Sequence, residues 1–188
     1  FVGPDNGLLM LAVDLDGDGT ARVGTTVPFL DHMLTLFAKH GGIDLDIRAT
    51  GDTEIDDHHL VEDVGICLGS ALKEALGDKA GICRYGSALI PMDETLCSAA
   101  VDLAGRPNLV YHVTFGNRKI RKFDAALLRE FFKALTDHSG MTLHLNLVYG
   151  KNTHHIAEAA FKAFSRALRE AVRLQPGRED VPSTKGLL

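Results

Sequence analysis

One segment of this chain is written twice. Residues 58–76, HHLVEDVGICLGSALKEAL, return 96 positions later as residues 154–172, HHIAEAAFKAFSRALREAV, and self-similarity over such a span means that one supersecondary unit is built twice. Both copies open on a histidine doublet, place Glu62 or Glu158 three residues after the second histidine, and carry the matching segments ALKEA and ALREA. Each reads as an amphipathic helix, because Val61, Val64, Leu68 and Leu72, like Ala157, Phe161, Phe164 and Leu168, recur at three- and four-residue spacing. Gly77 is placed to end the first helix.

The duplication extends upstream. Alternating apolar and polar residues predict a strand before each helix, at 43–49 (IDLDIRA) and 141–149 (MTLHLNLVY). Before each strand lies another helical pattern, at 28–39, closed by Gly41-Gly42, and at 123–135, closed by Ser139-Gly140. Further strands are expected at 8–15, at 87–103 with an interruption near Pro91, and at 109–115. Two sheets with helices packed on one face make an α+β fold. The expected organisation is a single domain, 1–188, made of half-repeats at about 1–86 and 87–188.

Composition narrows the function classes. Hydrophobic residues at 45% and charged residues at 24% suit a globular chain, and a net charge of -5 argues against nucleic acid as a partner. Cys67, Cys83 and Cys97 lack the C-x-x-C spacing of a thiolate metal site and are expected to be reduced. No apolar run reaches the roughly 18 residues of a membrane helix, and no basic-then-apolar leader opens the sequence, so a cytoplasmic protein with no membrane partner is expected.

Four of the nine histidines form the doublets His58-His59 and His154-His155. Neighbouring helical residues point about 100° apart, so the two rings of a doublet serve two ions rather than one. Glu62 and Glu158, four residues after the first histidine and three after the second, share a face with both. A single doublet reads most simply as surface or capping; two, in register with a glutamate inside a duplicated helix, read as ligands. His32 and His144 would raise the set to three His and one Glu per ion, leaving two positions open for substrate or water. Imidazole and carboxylate without thiolate suit Mn, Fe or Zn, and an open octahedral site favours Mn. Asp31, Asp56 and Asp57 can orient imidazoles or cap helices, and His40, before two glycines, reads as a helix C-cap or a substrate contact.

At these residues the sequence resembles the imidazoleglycerol-phosphate dehydratase family. The motifs that carry the resemblance run from residue 15 onwards: LDGDG (15–19), PFLDHML (28–34), GDTEIDDHHLVED (51–63), GICRYG (81–86), PMDE (91–94), AGRP (104–107), GMTLHL (140–145), HHIAEAAFKAF (154–164) and STKG (183–186). The resemblance implies two similar halves, each a four-stranded sheet with helices on one face, and a homo-oligomeric cage of 24 subunits. It also implies two Mn2+ ions per active site, with ligands shared between neighbouring subunits. The implied reaction is dehydration of imidazole glycerol phosphate to imidazole acetol phosphate in histidine biosynthesis, through a metal-bound imidazolate. Arg84, Arg106, Lys162, Ser183 and Lys185 are the implied phosphate contacts, with Glu62, Glu158 and Glu94 as candidates for catalytic carboxylates.

One departure stands out. The family carries a Lys-Glu-Thr motif on its first strand, and here the corresponding stretch is Asn6-Gly7-Leu8-Leu9-Met10, with no acid. Either another carboxylate substitutes, or Asp5 approaches the site, or activity is altered. The run from Asp14 to Gly19 resembles the opening of a calcium loop but has Thr25 at the twelfth position, so a glycine-rich hairpin turn is expected. Two rivals share the ligand set: a dinuclear metallohydrolase, which needs no imidazole-sized pocket, and an inactive metal-stapled structural shell.

Overall fold

The sequence periodicities resolve, in a computed structural model that describes residues 8–51, 56–184 and 186, into strands and helices in the order the repeat predicts. The first half runs β1 (Leu8–Asp14), β2 (Ala21–Gly24), α1 (Pro28–Gly41), β3 (Asp44–Thr50) and α2 (His58–Leu76). The second runs β4 (Tyr85–Met92), β5 (Thr95–Asp102), β6 (Asn108–His112), β7 (Lys119–Ile120), β8 (Phe123–Asp124), α3 (Leu127–Ser139), β9 (Thr142–Tyr149) and α4 (Thr153–Val172).

The strand lying between two helices is interior in each sheet. In the first sheet β3 pairs antiparallel with β1 and parallel with β2; in the second β9 pairs antiparallel with β5 and parallel with β6. The orders are β1-β3-β2 and β4-β5-β9-β6. Internal duplication is therefore visible in topology as well as in sequence. Three strands of the first sheet are described where four are expected; the counterpart of β4 would precede β1, and residues 1–7 lie outside the described residues.

Helices α1 and α2 cover the first sheet, α3 and α4 the second, and the two layers meet through α1 on α4 and α2 on α3. The helices are thus inside and the sheets outside. Phe37 stacks on Phe164 across the α1–α4 contact, with ring centroids 5.6 Å apart, and Phe131, Phe132 and Phe161 form a second aromatic knot. All five rings are essentially solvent-free, and each burial contributes roughly 1.5–3 kcal/mol. Gly65 and Gly69 let α2 approach α3 closely: a Cβ added there would lie 2.7 Å from Phe131 O and 2.6 Å from Leu135 O.

Three local expectations change. The helix placed at 123–135 starts at Leu127, because Phe123 and Asp124 pair with Lys119 and Ile120, and the Asp124 carboxylate takes the Ala126 N–H at 2.9 Å. The interruption near Pro91 falls at Asp93 and Glu94, where Asp93 has φ +50°; Pro91 itself stays in β4, an edge strand that can spare an N–H. The Asp14–Gly19 turn is not a hairpin, since β3 lies between β1 and β2. Its amides instead converge on β3: Asp44 Oδ1 accepts the N–H groups of Asp18, Gly19 and Thr20 at 3.0, 3.0 and 2.8 Å. No helix among the described residues is long and apolar enough to cross a membrane.

Candidate metal centre

The α1–α4 contact brings His32 to the first turns of α4. His32 Nε2 lies 2.9 Å from Glu158 Oε1, and His154 Nε2, one helical turn before Glu158, lies 3.0 Å from the same oxygen. Three donor atoms of two histidines and a carboxylate thus fall within 4.8 Å of one another. The start of α4 is held by Asn152, whose side chain accepts the N–H groups of His154 and His155. Phe29 packs edge-on against His154 at 5.4 Å and tilts on Phe123 at 5.1 Å, closing one side.

Glu158 is buried, and burial alone pushes its carboxyl up. Hydrogen bonds from Lys162, His32 and His154 outweigh that and hold it down, at about 2. The Lys162 ammonium bonds Glu158 Oε2 at 2.6 Å and reaches Met92 Sδ at 3.3 Å, so it lies between α4 and β4. His40 is pulled down by burial and by the nearby charges of Lys162 and Arg166. The helix cap of α1 is Gly42, not His40.

The two rings of the second doublet diverge as helical geometry requires. His154 joins the trio, whereas His155 Nδ1 is held by Glu94 Oε2 at 2.7 Å, and its Nε2 lies 3.7 Å from Asp93 Oδ2. The hydrogen bond from His155 is foremost in holding the Glu94 carboxyl low, at about 2, and the same bond raises His155. In the first repeat, His58 Nε2 is 3.5 Å from Glu62 Oε2, a looser approach than the 3.0 Å of the counterpart pair four residues apart on α4, and the His58 and His59 rings are 5.9 Å apart.

Other expected site residues lie elsewhere. His144 does not join the trio within one chain: Leu143 and Leu145 fill the core, and strand alternation turns His144 to the outer face of β9. Asp31 binds the Thr25 N–H and hydroxyl at 2.8 and 2.5 Å, and Asp56 takes the His58 N–H at 2.8 Å. These aspartates anchor helix starts rather than imidazoles. Asp57 makes no side-chain cap bond.

Arg84, Arg106 and Ser183 line one cleft, together with Arg178 and Thr184. Arg84 binds Asp102 through Nε and Nη2 at 2.8 and 3.3 Å and Pro182 O through Nη1 at 2.8 Å, so it also fastens the segment that carries Ser183. Its backbone N–H donates to Ala171 O, at the far end of α4. Thirteen residue steps along the helix separate that end from Glu158, about 20 Å at 1.5 Å per residue. Lys185, Asp5 and Asn6 lie outside the described residues. Sequence reading passed over Asp93 and Phe29; a tight turn with positive φ between two strands marks the first, and nothing local marks the second.

The donor set fits a divalent cation. Two imidazole nitrogens aimed at one carboxylate oxygen are a nitrogen–oxygen ligand cluster without thiolate, and the low carboxyl keeps Glu158 ionised for that purpose.

A family model described as imidazoleglycerol-phosphate dehydratase matches residues 25–168. A relative of that name from Syntrophus aciditrophicus (strain SB) is 60% identical over 181 residues, 96% of this chain and 92% of the relative. Another, from Geobacter sulfurreducens, is 57% identical over 180 residues, with coverage of 96% and 92%. The crystal structure of imidazoleglycerol-phosphate dehydratase from Staphylococcus aureus subsp. aureus N315 superposes with a TM-score of 0.83 at 44% identity, covering 89% of this chain and 95% of that one. The Pyrococcus furiosus structure, solved in complex with (S)-C348, gives 0.83 at 37% identity, covering 97% and 96%.

Proposed function

The chain belongs to the imidazoleglycerol-phosphate dehydratase family, a family of lyases in histidine biosynthesis, and we propose from that premise that it dehydrates imidazole glycerol phosphate to imidazole acetol phosphate at a metal centre. The convergence of His32, His154 and Glu158 is the observation that carries this reading. His58, His59 and Glu62, with His155 and His144, complete the proposed ligand set, and two Mn2+ ions per site are the proposed cofactors. Each half-repeat, about 1–86 and 87–188, contributes one doublet.

A divalent cation held there would supply a sink for negative charge on the substrate's imidazole when a poorly acidic carbon gives up its proton. The chain's own residues do the rest. Lys162 keeps Glu158 ionised and bears a positive charge at the mouth of the trio. Asp93, largely exposed beside His155, is a carboxylate with acceptor capacity to spare for moving a proton. Arg84, Arg106, Ser183 and Lys185 would bind the phosphate, arginine through its planar fork of donors. Because about 20 Å of helix separates the cleft from the trio, one small substrate cannot use both within one chain. That separation supports active sites built between subunits, in a homo-oligomer proposed to hold 24 copies and to work in the cytoplasm.

The test is turnover. Purified protein loaded with Mn2+ is expected to convert imidazole glycerol phosphate to imidazole acetol phosphate, and His59→Ala and His155→Ala to abolish it. Stoichiometric metal without turnover selects the structural shell, and turnover of unrelated esters alone selects the hydrolase.

A further inference from the structure

We infer that Glu94 is a positioning residue, which fixes His155 in the one neutral tautomer that leaves Nε2 free to take a metal. The inference rests on the metal reading above and gives Glu94 a duty other than proton transfer.

The two oxygens of Glu94 are committed separately. Oε1 accepts the backbone N–H of Asn152 at 2.8 Å and that of Lys151 at 3.2 Å, and the Thr95 hydroxyl at 3.2 Å. Oε2 faces His155 Nδ1 at 2.7 Å. Backbone amides only donate, so Oε1 cannot be exchanged for a donor, and the carboxylate cannot turn without abandoning them. An ionised carboxylate accepts on both oxygens, which places the ring hydrogen of His155 on Nδ1. In the neutral ring the lone pair is then on Nε2, and a carboxylate at the far nitrogen is the arrangement that orients ligating histidines.

The turn between β4 and β5 thereby reaches across to the first turn of α4 and sets its second imidazole. His154 is directed to the trio by the helix and by Glu158. His155, about 100° around the same helix, has no such partner on α4 and takes its orientation from the turn. Its side chain remains 24% exposed, so Nε2 can be reached from outside the chain.

Glutamine is the discriminating substitution because an amide has one acceptor and one donor end. With its oxygen kept on the Lys151 and Asn152 amides, its NH2 would face Nδ1 and drive the ring hydrogen to Nε2. Reversed, the NH2 would oppose two backbone N–H groups.

The experiment compares wild type with Glu94→Gln by two readouts that need no turnover: 15N NMR of the His155 ring in metal-free protein, at a pH above the ring's own observed titration so that it is neutral, and Mn2+ titration by calorimetry. The Nδ1–H tautomer is expected in wild type and a shift toward Nε2–H in the variant, with Mn2+ affinity falling about 10- to 100-fold. Glu94→Ala, which leaves Nδ1 to water, is expected to mix the tautomers and fall between them. Unchanged Mn2+ affinity in Glu94→Gln overturns the inference, and a loss of kcat alongside it would make Glu94 a proton carrier. Should Glu94→Gln not fold, an Nε2–H tautomer in wild type overturns it equally. If wild type takes up no Mn2+, the metal reading fails while the tautomer still decides what Glu94 does.

Discussion

Lys162 Nζ binds the oxygen of Glu158 that the imidazoles leave alone: 2.6 Å to Oε2, while His32 and His154 share Oε1. The carboxylate is therefore divided between an ammonium and a pair of imidazole nitrogens. Both members of the ion pair are largely out of solvent, with side chains 16% and 10% exposed. Removing one charge of such a pair strands the other. Lys162→Met is expected to cost about 3 kcal/mol in metal-free protein and less with Mn2+ bound, because the metal compensates Glu158 in its place. Urea denaturation with chelator and with Mn2+ measures both; equal losses would refute the compensation.

The Glu94–His155 bond sets a pH window. Glu94 is held at about 2 against an ordinary 4.5, so its stabilisation is present above 4.5 and is lost as pH falls through about 2. His155 is raised above 6.5, so its stabilisation is complete below 6.5 and is lost as pH rises through the raised value. Metal-free protein is expected to draw most from the pair between 4.5 and 6.5. The difference in denaturation midpoint between wild type and His155→Gln, followed against pH, should peak there; a flat difference would count against it.

Arg84 serves two masters, Asp102 and Pro182 O. A lysine cannot reproduce the fork. Arg84→Lys is expected to raise KM for the phosphorylated substrate at least tenfold with a smaller change in kcat, and to make the segment after Val172 more sensitive to protease. Steady-state kinetics and limited proteolysis report on each.

Gly69 faces the α3 backbone, where a Cβ would stand 2.6 Å from Leu135 O. Gly69→Ala is expected to destabilise the fold by about 1–3 kcal/mol through overpacking, without altering Mn2+ affinity. Thermal melting and metal titration separate the two.

Chelation offers a test of sites shared between subunits. If ligands come from neighbouring chains, metal removal is expected to give a smaller or looser particle, because metal bound across an interface stabilises it by mass action. Sedimentation velocity with and without EDTA reads this directly, and an unchanged particle would argue for ligation within one chain.

Much of this was legible from spacing. Four helices and the two central strands follow from periodicity, since the apolar positions of α2 and α4 that define each pattern are the ones that fill the core. Glu158 and His154 meet because four residues make about one turn. His32 was legible only as a candidate: its approach to Glu158 depends on α1 packing on α4, a long-range contact between halves that no local pattern encodes. The strands of the short β7–β8 hairpin are two residues each and carry too little alternation to read, and β2 has four residues. His144 was legible as a candidate by residue type, but its side of β9 was set by strand parity, which the residue type does not reveal.

The trio itself crosses the duplication. His32 comes from the first half and His154 with Glu158 from the second, so a lone half could build this cluster only by borrowing an imidazole from a sister molecule. Severing the polypeptide between α2 and β4 would turn an intramolecular meeting into an encounter between two fragments, and cation capture would then depend on their concentration.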